Sequence, residues 1–216
     1  MKAVLISIQP KWCELIASGE KTVEVRKTRP KLETPFKVYI YCTKGRGDCL
    51  WRWGGVWYDT QFPNERPNRL DGKVIGEFVC DKIEKIFQCN SGWAQEHACI
   101  SREEYFKYLG LPYNSHFDSK GAYAWHISDL KIYDKPRELS EFQKCGALTA
   151  KELDDEICNY CLNTSRGTKA GYGTPNGYVS CEGRWCEEAY QEYLDEEFAV
   201  TRPPQSWMYV EDGICP

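Results

Sequence analysis

Between residues 12 and 26 the hydrophobic spacing of this chain changes from a helical period to a strand period, which demands a helix that stops abruptly and hands over to a half-buried strand. Trp12, Leu15 and Ile16 recur at helical spacing, and Gly19 is a natural stop. From Thr22 to Arg26 the chain alternates, which sets Val23 and Val25 on one face and Thr22, Glu24 and Arg26 on the other, with Lys21 at the corner between helix and strand. A cation, a carboxylate and a second cation therefore converge. The local pattern by itself fits a solvated edge strand carrying a salt bridge.

Residues 19–26 read Gly-Glu-Lys-Thr-Val-Glu-Val-Arg, and Gly19-x-Lys21-x-x-Glu24-x-Arg26 resembles the G-x-K-x-x-E-x-R signature of the ASCH domain, a branch of the PUA-like superfamily of small β-barrels associated with RNA. The order around it agrees: a strand at 2–9, the helix, the motif strand, and a further strand at 37–42. The resemblance implies an α+β fold, a small mixed PUA-like β-barrel with flanking helices, built from residues 1–144 and 201–216. Residues 145–200 then form an insertion.

A hydrophobic content of 42% is enough for a real core, and 14% aromatic residues with eight Trp suit both strand packing and the stacking of bases. No apolar run is long enough to span a bilayer, and the start reads as a first strand without a small-residue cleavage site, so a cytoplasmic protein is expected. In that setting its twelve Cys are thiols or metal ligands, not a disulfide frame. The net charge of −4 argues against indiscriminate nucleic-acid binding, but charge is uneven. Residues 1–52 hold eleven basic and five acidic residues, whereas 145–200 hold four and eleven. A local phosphate-binding face on an acidic protein gives such a count, as do solvated lysines on strand edges.

Residues 43–71, rich in Gly, Trp, Arg, Asn and Pro, read as a long loop. Lys44, Arg46, Trp51 and Trp53 make it a basic and aromatic mixture suited to single-stranded nucleic acid, or else an insertion whose tryptophans fold back on the barrel. Residues 72–80 read as a strand continuing through 83–87, with Glu77 on a face among apolar neighbours. Lys21 or Arg26 would partner it and draw it into the polar cluster; otherwise it is a surface residue. Ser101 and Glu104 form a capping box that opens a short helix stopped by Gly110 and Pro112, and residues 121–133 read as a long strand or bent strand pair. His126 in that strand is expected to be structural. Residues 205–210 supply the last barrel strand, with Trp207 and Tyr209 on one face.

In the insertion, Cys158-x₂-Cys161 aims two thiolates at one metal, and Cys181-x₄-Cys186 at the start of a helix closes a tetrahedral set. The intervening Tyr172 to Val179 is placed as a hairpin, as in zinc-ribbon and treble-clef modules. The second spacing departs from the commoner two-residue one. So short a segment with few large aliphatics builds little core, which favours a structural zinc on Cys158, Cys161, Cys181 and Cys186 over two free thiol pairs.

The resemblance implies an RNA or a modified nucleoside in a cleft lined by Lys21, Thr22, Glu24 and Arg26, with the two cations on phosphate or a base edge and the loop tryptophans stacking. On that view Lys21 or Arg26 could be replaced with little change in thermal midpoint. A second class is a hydrolase. One ASCH branch shares Gly-x-Lys-Thr and hydrolyses acetylcytidine with a Lys, a Thr nucleophile and a Glu, but its Thr falls where this chain has Glu24, so Thr22 would have to serve. Other ASCH members are ribonucleases, for which Lys21 as electrostatic stabiliser and Glu24 as acid or base would be the candidates, and Glu77 joins the catalytic set if the protein is an enzyme. A third reading is a protein-interaction module displayed by the acidic insertion. The ending Pro-Pro-Gln-Ser-Trp resembles that of phage-associated ASCH-like proteins, which implies a mobile-element setting.

Overall fold

The computed structural model describes residues 1–44, 51–53, 56–58, 70–87, 91–112, 121–146, 167–168, 171–174, 177–179, 191 and 194–212. They fall into two compact units, one of residues 1–139 with 202–216 and the other of residues 140–201.

The first unit opens with β1 (Lys2–Ile8), whose six buried positions in a row mark an interior strand. Helix α1 (Pro10–Ala17) follows, with Pro at its start where no intrahelical donor is lost. It ends at Gly19, whose φ of 81° permits the left-handed turn that closes the helix through a Gly19 N–H to Ile16 carbonyl bond of 3.0 Å. Then come β2 (Val23–Arg26), β3 (Phe36–Cys42), β4 (Trp51–Trp53), β5 (Val56–Tyr58), β6 (Val74–Cys80) and β7 (Ile83–Ile86). Helices α2 (Ser91–His97) and α3 (Arg102–Leu109), strands β8 (Ala122–His126) and β9 (Ser128–Arg137), and the late β13 (Trp207–Glu211) complete it.

These strands form two main sheets, one of five strands in the order β13-β1-β3-β6-β9 and one of three in the order β2-β8-β7. Among the described residues the ladders do not close into the expected barrel. Of the four passages of the chain between these two sheets, two fall inside what reads as one long strand: Asp81 and Lys82 separate β6 from β7, and Ile127 separates β8 from β9. Each of these two breaks leaves two strands that pair in different sheets, so each sheet keeps open edges. The returning strand β13 accordingly pairs antiparallel with β1 as an edge of the five-stranded sheet. Residues 51–58 also differ from the expected loop, since β4 and β5 pair antiparallel; aromatic residues flanking Gly54-Gly55 are a hairpin pattern.

One core cluster gathers Val4, Ile6, Ile8, Cys13, Ile16, Val38, Ile40, Phe78 and Trp125 from β1, α1, β3, β6 and β8. A second gathers Val23, Val25, Ile86, Tyr105, Phe106 and Leu109 where α2 and α3 cover the three-stranded sheet. Because β2 alternates, Val23 and Val25 face the helices while Glu24 lies in register with Trp125 and Arg26 with Tyr123. That register turns two charged side chains toward the five-stranded sheet.

Helix α3 carries the expected capping box: Glu104 N–H donates to Ser101 Oγ at 3.2 Å and Ser101 N–H to Glu104 Oε2 at 3.2 Å. Ser101→Ala is expected to lower stability by about 1 kcal/mol in a urea melt. An unchanged midpoint would show that packing alone fixes this helix.

In the second unit β11 (Gly171–Thr174) and β12 (Gly177–Val179) pair antiparallel with Tyr172 opposite Val179, the stretch where a hairpin was expected, and β10 (Gly167–Thr168) adds to β11. Lys144 N–H donates to the Phe198 carbonyl at 2.7 Å, and Val200 N–H to the Phe142 carbonyl at 2.8 Å, which ties the two ends of the unit together.

Candidate functional site

The helix-to-strand corner sets the backbone of the site. Lys21 N–H donates to the Leu15 carbonyl at 2.8 Å, which folds the corner back under α1, and β2 then carries Glu24 and Arg26 inward. The side chains meet as a linear triad. Lys21 Nζ lies 3.2 Å from Glu24 Oε2, and Arg26 Nε lies 3.0 Å from Glu24 Oε1. Lys21 Nζ also donates to the Ala98 carbonyl at 2.8 Å, and Arg26 Nη2 to the Ser7 carbonyl at 2.6 Å, so the guanidinium reaches from the three-stranded sheet to β1 of the other. Arg26 Nη1 is 3.4 Å from Ser206 Oγ.

All three residues are buried, at 4%, 6% and 7% relative exposure, which the reading as a solvated edge strand did not foresee. Ions so desolvated are held only because each faces an opposite charge and backbone carbonyls. Replacing Lys21 or Arg26 leaves the buried Glu24 with a single cation, so a lowered thermal midpoint is expected in place of an unchanged one. The triad is not saturated. Arg26 Nε, although 3.0 Å from Glu24 Oε1, has no hydrogen-bond acceptor in line. A buried donor in this state calls for an acceptor.

A cavity of about 500 Å³ opens on the triad, lined also by Ser7, Trp12, Thr43, Tyr108 and the tripeptide Pro203, Pro204 and Gln205. Lys21 Nζ stands 5.2 Å from the centre of the Trp12 ring. Burial raises the Tyr108 hydroxyl pKa, against the opposing pull of Arg26. Beneath the cavity Cys13 and Cys42 are fully buried, and burial together with Cys42 pushes the Cys13 thiol well above its ordinary value, so it stays a neutral core group. The wall at 203–205 is fixed through β1: Ser7 Oγ donates to the Pro204 carbonyl at 2.6 Å and Ser7 N–H to the Ser206 carbonyl at 2.9 Å.

Lys21, Glu24 and Arg26 thus come together, and the other candidates do not join them. Thr22 is exposed, with its N–H on the His97 carbonyl, and does not line the cavity. Glu77 lies in register with Tyr39 and Lys131 on the five-stranded sheet and takes a 2.6 Å hydrogen bond from Tyr133 Oη, so its partner is neither Lys21 nor Arg26. Lys44 is exposed and lies against Gly72, where an added Cβ would come within 2.5 Å of its Cε. Trp51 and Trp53 sit in β4, with side chains outside what is described; Arg46, Cys158, Cys161, Cys181 and Cys186 lie outside the described residues altogether. No cluster of metal-ligating side chains occurs among the described residues. His126 is structural in position, with Nε2 2.7 Å from Glu84 Oε2 and its ring stacked 5.5 Å from Trp93.

Sequence reasoning did not find Trp12, Tyr108 or the 203–205 wall as site residues. Trp12 carried a signal, since it follows Lys11 on a helix that leads into the motif. The wall carried only the resemblance of its Pro-Pro-Gln-Ser-Trp ending, and its place beside the triad depends on pairing across almost the whole chain.

The profile of the ASCH domain matches residues 6–137, well over half of the chain. Crystal structures similar to it include that of an ASCH protein from Zymomonas mobilis, at 19% identity over 90% of this chain and 94% of that one, with a TM-score of 0.42. A point mutant of the same Zymomonas mobilis protein aligns at 18% identity over 92% of this chain and 100% of that one, again with a TM-score of 0.42. Among curated proteins no relative matches.

Proposed function

Since the chain belongs to the ASCH domain family, we propose that it binds RNA by seating a single unpaired or modified nucleoside in the cavity on Lys21, Glu24 and Arg26. The observation that carries this reading is a 500 Å³ cavity, a size that admits one nucleoside, with a buried cation–carboxylate–cation triad in its wall. Trp12 and Tyr108 supply aromatic surface against which a base can lie. Desolvation favours polar contacts of a base with the triad, because a buried charge–dipole bond is worth more than a solvated one.

Hydrolysis finds less support. Thr22 lies outside the cavity, and both Glu24 oxygens face cations, which leaves neither the nucleophile nor the free base that the two hydrolase readings need. Titration calorimetry with a panel of ribonucleosides, including acetylated and methylated ones, tests the binding reading. Trp12→Ala is expected to weaken binding by about 1–3 kcal/mol, the range for loss of a stacked base, while Thr22→Ala leaves it unchanged. Turnover of acetylcytidine that vanishes in Thr22→Ala would contradict this account.

For the second unit we propose a structural zinc on Cys158, Cys161, Cys181 and Cys186. Support comes from the spacing of the two pairs and from the antiparallel pair β11 and β12 between them in sequence. Four thiolates leave no open position for water, so zinc there would hold the fold and supply no chemistry.

A further inference from the structure

Next to the cavity, residues 27–31 carry three exposed cations, Lys27, Arg29 and Lys31. Some other cations of this unit face carboxylates, as exposed Lys11 does Glu104 at 2.9 Å, half-buried Lys37 does Asp212 at 3.0 Å and exposed Lys82 does Glu84 at 2.9 Å. Among the described residues Lys27, Arg29 and Lys31 make no salt bridge, and Glu33, which lines a concavity with Arg29 and Lys31, pairs with none of them. Three uncompensated cations beside a triad of net charge +1 create a positive field on a protein whose total charge is −4.

The loop is held in place and continues from the cavity. Lys27 Nζ stands 5.2 Å over Tyr108, a cavity wall, and Arg29 5.9 Å over Tyr123, the register partner of Arg26. Along its other side runs the chain that leaves the 203–205 wall: Trp207 Nε1 donates to Thr28 Oγ1 at 3.0 Å, and Lys31 N–H donates to Tyr209 Oη at 2.7 Å. A second concavity of about 620 Å³ runs along residues 29–34.

We infer that residues 27–31 form a phosphate-gripping extension of the nucleoside cavity, so that the ligand is a single-stranded RNA, with one nucleoside seated on the triad and its neighbours' phosphates on Lys27, Arg29 and Lys31. This rests on the reading of the cavity given above. A single strand is favoured over a duplex, since a base must leave the stack to enter the cavity and a single strand spares that cost. Half-buried Trp207 and Tyr209 lie where flanking bases can stack.

The test compares wild type, the triple variant K27Q/R29Q/K31Q and Trp12→Ala. Each is titrated with a fluorescein-labelled ten-nucleotide RNA of randomised sequence and, separately, with adenosine, cytidine, guanosine and uridine, with a thermal melt confirming that the exposed loop substitutions leave the fold intact. The triple variant is expected to lose at least about tenfold in RNA affinity, and its slope of log affinity against log salt should fall by about 2, three contacts at roughly 0.7 each. Its nucleoside binding should equal wild type, whereas Trp12→Ala should weaken both ligands. RNA affinity and salt slope unchanged in the triple variant would overturn the extension while leaving the nucleoside reading standing. Wild type that binds neither ligand would overturn both.

Discussion

Glu24→Ala is expected to cost about 3–5 kcal/mol of stability, because it leaves Lys21 and Arg26 as buried cations with no carboxylate between them. That is a large share of the roughly 5–15 kcal/mol that a folded chain possesses. In a two-state thermal melt of the first unit it corresponds to a fall of roughly 10 °C at 2–4 °C per kcal/mol. The companion variant separates desolvation from shape. With K21M/E24L/R26M the whole triad becomes apolar, so most of the lost stability should return although the site can no longer hold a polar ligand. If Glu24→Ala instead shifts stability by less than about 1 kcal/mol, the pair behaves as an exposed one and the triad is solvated in solution.

On the proposed zinc assignment, removing the metal should have the other large effect. Structural zinc on four thiolates contributes apparent binding free energies of about 10–16 kcal/mol at neutral pH, more than an acidic segment poor in large aliphatics can replace. Elemental analysis should find about one zinc per chain. Chelation, or Cys158→Ser, should open residues 145–200 to protease while the first unit keeps its cooperative melt. Metal-free protein in which that segment resists cleavage would refute the zinc assignment and leave the four cysteines as ordinary thiols.

What the sequence revealed and what it hid divide along the range of the interactions. The stop at Gly19, the alternation from Thr22 to Arg26 and the capping box at Ser101 are local, and all three are legible because each depends on residues within a few positions. Alternation does not say which face turns inward. It did not give the partner of Glu77, which is set by the register of β6 against β9 that brings Tyr133 alongside. The burial of the triad was likewise hidden, since it follows from Ser7, Ala98 and Ser206, residues remote in sequence from the motif. The barrel expectation failed at two short breaks, around Asp81 and at Ile127, where the chain leaves one sheet for the other with no Pro or Gly to mark the change.

The central claim, that the triad cavity receives a nucleoside of an RNA strand, is tested most directly by photocrosslinking the full chain to a ten-nucleotide RNA containing one 4-thiouridine and mapping the adducts by mass spectrometry. Adducts on Trp12, Tyr108 or the 203–205 wall, competed by excess unlabelled RNA, are the predicted result. Adducts confined to residues 145–200, or none that compete, would contradict it.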